Sequence, residues 1–177
     1  MPNEPGRVEL SMQDLRVVAR FAAESAQEAL SIFEECHPDD RRPRAAVEAA
    51  RSFADGANRT KLQRTSAMAA HQAAKEASTQ AARAAARAAG HAAAAAYLHP
   101  LAKSTQVKHI LGAAAHAAWA AELVAGGDQG VGAEQLEQAR QRATPALVAV
   151  LRRYPAAPSS GNRAAQLMSA LDTSLRA

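Results

Sequence analysis

The 177-residue chain contains 49 alanines but only 6 aromatic side chains and 17 glycines and prolines together. This composition excludes a sheet-rich fold, because strands favour β-branched and aromatic residues while alanine is the best helix former. The formal charge of +4 is uneven: residues 1–55 carry −4, residues 56–120 carry +7 with a single acid, Glu76, and five of the six histidines, and residues 121–177 carry +1. No stretch reaches the roughly 18 consecutive apolar residues of a membrane span. The opening Met1-Pro2-Asn3-Glu4-Pro5 lacks the basic start and apolar run of a signal peptide, and a lone cysteine, Cys36, rules out an internal disulfide. The expectation is a cytoplasmic all-α protein, one helical domain over 1–177 with residues 1–10 as an N-terminal tail. It would fold as a compact bundle of about eight helices around an alanine-rich central pair.

The first helix is announced by Ser11 and Asp14, a capping pattern, with Leu10 and Leu15 placed as a hydrophobic staple. Leu15, Val18, Ala22, Ala26, Ala29 and Phe33 then recur at spacings of three and four, predicting one buried stripe through Glu35. His37-Pro38-Asp39-Asp40 breaks that helix, and Pro43 in a first turn opens a second through Val47, Ala50 and Phe53 to Gly56. Asn58 is placed to cap a third helix to about Ala77, and Ser78 or Thr79 a fourth that stops ahead of Pro100. Gly90 in that helix marks a close helix crossing.

Ser104 or Thr105 opens a fifth helix whose apolar residues form two rows, one through Val107, Leu111, Ala114, Ala118 and Ala121, the other through Ile110, Ala113, Ala117, Ala120 and Val124. A helix apolar on two sides belongs at the centre. Gly126 and Gly127 end it, Val131-Gly132 leads to a sixth that breaks at Thr144-Pro145, and Leu147, Val150, Leu151 and Tyr154 define a seventh. After a loop from Pro155 to Gly161, Asn162 caps the last helix, with Leu167, Met168, Leu171 and Leu175 inward and Asp172 and Arg176 outward.

Little in this pattern reads as catalysis. There is no G-x-S-x-G elbow, no P-loop and no dinucleotide glycine pattern, and no cofactor is expected. His91 and His99 are eight residues apart and His109 and His116 seven, too far along one helix to share an ion, so no metal is expected either. The histidines read first as hydrogen-bonded members of a polar seam between helices. Arg83, Arg87 and His91 nonetheless share one face at i,i+4 spacing, and with Tyr97, His99 and His109 they form a candidate pocket for an anionic small molecule or a partner. Against it stands a structural polar network of Asp39, Asp40, Arg42, Arg44 and Glu48 between the first hairpin and the centre. The basic middle segment is expected to pair internally with the acidic start. Without interleaved aromatic groups it argues against nucleic acid.

Several stretches carry a family likeness: Asp14-Leu15-Arg16-Val17-Val18-Ala19-Arg20, Phe33-Glu34, Pro38-Asp39-Asp40-Arg41-Arg42-Pro43-Arg44-Ala45-Ala46 and Ala86-Arg87-Ala88-Ala89-Gly90-His91-Ala92-Ala93-Ala94. With these the chain resembles the Imm-five-like putative immunity proteins. Tyr97-Leu98-His99-Pro100-Leu101-Ala102, His109-Ile110-Leu111-Gly112-Ala113-Ala114, Ala143-Thr144-Pro145-Ala146-Leu147 and Leu151-Arg152-Arg153-Tyr154-Pro155 are similar to its actinobacterial members. The resemblance implies an all-helical bacterial protein that binds and neutralises a cognate toxin, and it brings no catalytic residues with it. The competing expectation is a binding protein for an anionic small molecule, or a metal-independent enzyme of secondary metabolism, working at the Arg/His pocket.

Overall fold

Residues 6–177 are described by a computed structural model, and among them nine α-helices and two single 3₁₀ turns account for all the regular structure apart from one isolated bridge between Arg7 and Leu101. Of the expected tail, residues 1–5, which include the opening stretch read against a signal peptide, lie outside the described residues. Val8 is buried, its N–H donates to the Pro100 carbonyl, and the Ala102 N–H donates to the Gly6 carbonyl.

Helix α1 (Met12–Gln27) begins on the capping box expected of Ser11 and Asp14, each side chain bonded to the other's backbone N–H. The stripe from Leu15 to Phe33 is buried throughout, yet it is not one helix. A tightened turn, with Ala29 N–H on the Ala26 carbonyl and Ile32 N–H on the Ala29 carbonyl, separates α2 (Leu30–Cys36). Those i→i+3 bonds redirect the chain while Leu30 and Phe33 stay in the core, which is why nine helices stand where about eight were expected. Helix α3 (Arg42–Ala54) carries Pro43 in its first turn, as predicted, and gives way to Gly56 at φ +116°.

Helix α4 (Lys61–Glu76) is capped two residues later than Asn58 would place it: Thr60 accepts from the Leu62 N–H, and the Gln63 side chain accepts from the Thr60 N–H. Thr79 caps α5 (Gln80–Ala94), which tightens into the 3₁₀ turn Ala95–Tyr97 before reaching Pro100. A second 3₁₀ turn, Ser104–Gln106, leads into α6 (Val107–Val124). Val124, assigned to an apolar row, is 64% exposed because it ends the helix beside Gly126 and Gly127. Asp128 caps α7 (Gln129–Arg142), so Val131 and Gly132 lie inside that helix rather than ahead of it. Thr144 caps α8 (Pro145–Leu151) and Asn162 caps α9 (Arg163–Arg176).

The middle of the bundle is α5, which packs against α1, α2, α3, α4 and α6. Eight of its alanines, from Ala82 to Ala93, are buried. Side chains of one carbon let neighbouring axes approach from several directions at once, a geometry that longer apolar residues would block. The alanine-rich centre expected of the third and fourth helices, α4 and α5, is displaced by one element: α5 is central together with α6, which also carries α1, α7 and α9, while α4 packs mainly on α3 and α5.

Two buried carboxylates lock the C-terminal helix in place. Glu122 on α6, 4% exposed, takes a two-pronged bond from the Arg163 guanidinium at 2.8 and 2.9 Å. Its carboxylate occupies the space that a Cβ at Gly132 would need. Asp172, read from the sequence as solvent-facing, is 2% exposed: it accepts from Arg176 and from the Ala157 N–H, and Arg176 also donates to the Tyr154 carbonyl. The i,i+4 pair is correct, but the loop from Pro155 folds over it and turns a surface pair inward.

The capping geometry gives a direct test. Thr60→Ala should lower stability by about 1 kcal/mol in urea denaturation, whereas Asn58→Ala should leave it unchanged.

Candidate functional site: a row of histidines

Three imidazoles from three successive helices meet beside α5. His71 of α4 lies edge-on to His91 of α5, with ring centroids 5.2 Å apart and planes at 80°. His91 in turn stacks on His116 of α6, at 4.9 Å and 17°. Trp119 continues the row at 6.2 Å from His116. His109, two turns earlier on α6, completes a set of four half-buried rings.

Glycine makes this spacing possible. A Cβ at Gly90 would come within 2.7 Å of the His71 ring, and one at Gly112 would meet the His91 ring at 3.1 Å. Each imidazole thus rests on a glycine of the neighbouring helix, His71 on α5 and His91 on α6. The expected close approach at Gly90 is present, and what approaches is a ring. Glycine inside a helix costs about 1 kcal/mol in propensity, a cost offset here by room for a side chain that alanine would exclude.

The chemistry of these rings departs from a hydrogen-bonded seam. His37 shows the ordinary pattern, its Nε2 accepting from the Ser78 N–H at 3.0 Å. His71, His91, His109 and His116 make no side-chain hydrogen bond to protein among the described residues, and the Nδ1 atoms of His109 and His116 are fully buried without a partner. Burial pushes all four below the ordinary imidazole value, since removal from water disfavours the charged form. His109 and His116 fall to about 4, and His91, in the middle of the row, is held well down by burial, then by His116, His71 and His109. The charged side chains that deepen the shifts are all cationic: Arg87, Lys108 and Lys75. At neutral pH the row is uncharged inside a positive field. Among the described residues no three His, Cys, Asp or Glu side chains converge on a point where a metal ion could sit.

The residues singled out from the sequence are only partly gathered here. His91 belongs to the row, with Arg87 one turn before it on the same face and His109 near enough to act on His91. Arg83 is exposed one turn before Arg87 on α5. Tyr97 faces the start of α4, where its hydroxyl donates to the Thr60 carbonyl and Arg59 and Arg64 each lie 5.1 Å from its ring. His99 is an exposed loop residue whose carbonyl accepts from Tyr154 and whose N–H donates to Gln106. His71 and His116 were not read from the sequence as members of any site. The available signal was a glycine inside each facing helix, Gly90 and Gly112, opposite a histidine on the next.

Of the polar network, Arg42 binds Asp40 at 2.7 Å and reaches across to Glu76 of α4 at 2.6 Å, while Arg44 pairs with Glu34. These contacts hold all three carboxyls below the usual range. Asp39 and Glu48 are exposed and take no ion pair. The larger expectation, that the basic middle pairs with the acidic start, is not met. Those acids of residues 6–55 that form ion pairs, Asp14, Glu28, Glu34, Asp40 and Asp55, do so with Arg153, Arg142, Arg44, Arg42 and Arg20. Arg59, Lys61, Arg64, Lys75, Arg83, Arg87, Lys103 and Lys108 join no ion pair among the described residues, so the +7 of segment 56–120 stays uncompensated over α4, α5 and the start of α6. Elsewhere, a cleft of about 380 Å³ is lined by Arg16, Arg20 and Arg142. Arg16 and Arg20 are engaged on carbonyls at the end of α3, and Arg142 donates through one Nη to Ser25 while its buried Nε has no partner among the described residues.

The sequence model of the Imm-5 like putative immunity protein family matches residues 9–146, well over half of the chain and all of the histidine row. The chain belongs to this family. No curated protein and no solved structure matches it. None of the helices among the described residues is long and apolar enough to cross a membrane.

Two outcomes follow from the row. Gly90→Ala should cost about 1–3 kcal/mol by driving a methyl into the His71 ring, and His71→Ala in the same chain should recover most of the loss, a coupling readable in a double-mutant cycle. Because the folded rings hold their protons more weakly than the unfolded chain, the unfolded state takes up more protons between pH 6.5 and about 4. Stability should therefore be level above pH 6.5 and fall as pH drops through that window, by on the order of several kcal/mol in denaturation series, with the fall shrinking in His109→Gln and His116→Gln.

Proposed function

We propose that the protein is a non-enzymatic inhibitor that binds and neutralises a cognate bacterial protein toxin, acting in the cytoplasm of an actinobacterial host. Membership of an immunity-protein family is the observation that supports this reading. The uncompensated positive charge of α4, α5 and the start of α6 supports an acidic surface on the toxin, since opposite potentials steer encounter and reject wrong partners. Exposed apolar residues of the same helix, Leu62 and Met68 of α4, at 53% and 66% exposure, supply apolar surface for such an interface.

The test is co-expression with toxin-like proteins encoded beside this gene. One of them should lose its effect on growth and form an isolable complex burying on the order of 1,200 Å² or more. Replacing Lys75 and Arg83 by glutamate should slow association about tenfold at low salt while leaving folding intact. Failure to bind any neighbouring gene product counts against the reading, and tight, salt-sensitive retention of random-sequence DNA would assign the basic face to nucleic acid instead.

A further inference from the structure

The histidine row is poorly explained as packing alone. An unpartnered buried polar nitrogen is destabilising, and apolar rings of similar size would fill the same space without that cost. Here three imidazoles, His71, His91 and His116, meet ring to ring and His109 lies two turns earlier on α6; the Nδ1 atoms of His109 and His116 are sealed and unsatisfied, and none of the four rings is bonded to protein among the described residues. Arg87, from the same helix face as His91, acts on His71 and His116, Lys108 acts on His71, His91 and His109, and Lys75 acts on His71. None of these three cations has an ion-pair partner among the described residues, and no carboxylate figures among the groups acting on the rings. One patch therefore gathers spare donors and uncompensated charge, with no acceptor supplied by the protein.

We propose that this row, together with Arg87, is a binding site for a phosphoryl-class oxyanion: phosphate, pyrophosphate or the phosphate group of a small ester. The donors come from three helices, so they favour a tetrahedral group with three or more acceptor oxygens over a planar carboxylate with two. Each neutral imidazole offers one N–H, the guanidinium up to five, and Arg87, Lys75 and Lys108 supply the charge that a doubly negative group demands. The rings respond to the ligand in turn. An anion beside them favours their protonated form, so sulfate, whose own charge is constant over the range, should bind more tightly as pH falls from 7 towards 5. The groups facing the rings in that titration are Lys75 from α4, Arg87 from α5 and Lys108 from α6, together with the neighbouring histidines. The site stands independently of the toxin reading, because the isolated protein suffices to examine it.

The experiment is a titration of protein labelled with ¹⁵N at histidine, following the ring nitrogens by NMR as phosphate, pyrophosphate and glycerol 3-phosphate are added in turn. Saturable shifts of the His71, His91 and His116 signals are expected, with His37 and His99 unmoved. Arg87→Gln should weaken binding about tenfold or more, as loss of a charge-assisted donor does, while Arg83→Gln, an exposed cation one turn away, should not. Thermal melts confirm that each variant folds, and Lys108→Gln serves as a second probe should Arg87→Gln fail to. Tighter binding of the ester than of free phosphate identifies a phosphorylated metabolite as the source, and the reverse identifies the free anion. Absence of saturable shifts with all three probes overturns the proposal, as does equal weakening by Arg83→Gln, which would mark a diffuse surface potential.

Discussion

Everything in this bundle depends on α5 being approached from five directions, and that approach depends on the smallness of alanine. A helix of leucines holds its neighbours at about 10 Å and presents one stripe; a helix of alanines lets them in to nearer 8 Å and can be buried almost all round. With Ala82, Ala84, Ala85, Ala86, Ala88, Ala89, Ala92 and Ala93 enclosed, the only polar side chains of α5 beyond its first turn are Arg83, Arg87 and His91, all on the remaining side. The same close approach brings α4 and α6 near enough, across that side, for imidazoles of three helices to touch. Larger interior residues would have pushed the three helices apart and left each histidine to water.

Tight packing also explains why the rings are neutral. An imidazole needs only partial desolvation to lose its proton at physiological pH, and a positive field deepens the effect. Here both act together, since burial leads among the causes at each ring and Arg87, Lys75 and Lys108 add to it. The contrast with the rest of the surface is sharp. On α3, Arg42 and Arg44 each meet an acid, and Glu122 and Asp172 are buried only because Arg163 and Arg176 reach them. Charge is balanced at the ion pairs that join α3 to α4 and α9 to α6, and unbalanced over α4, α5 and the start of α6.

That division of labour separates scaffold from surface. The paired charges fasten the peripheral helices to the centre: Arg42 links α3 to α4, Arg153 ties the turn after α8 to the cap of α1, and Arg163 joins α9 to α6. Of the cations without an ion pair, Arg59 donates to the Ala96 carbonyl and lies with Arg64 over the Tyr97 ring, whereas Lys61, Lys75, Arg83, Arg87, Lys103 and Lys108 make no side-chain hydrogen bond or ion pair among the described residues, so removal of these six should leave the fold standing while changing what the face attracts. The fold tolerates this, because a free positive face costs little in water and remains available to a negative partner.

Composition and periodicity by themselves determined the helical class, the buried stripe of α1 and α2, the position of α6 at the centre, the caps at Ser11 and Asn162, and Thr79 as one of two candidate caps for α5. Each of these rests on contacts within a few residues, which local sequence records directly. The break at Ala29 escaped that reading because no proline or glycine marks it; packing of Leu30 and Phe33 bends the chain there. Thr60 displaced Asn58 as a cap because both residue types fit the role and only the path of the chain chooses between them. Of the candidate pocket, the shared face of Arg87 and His91 was legible at i,i+4 spacing, whereas Tyr97 and His99 were drawn to other partners by the turn before Pro100. Only the tertiary structure could bring His71 and His116 to His91, since their meeting depends on helix crossings set by Gly90 and Gly112. It alone could show that the acidic start spends its charge elsewhere, because ion pairing between distant segments is decided by three-dimensional distance and leaves no periodic trace in the chain.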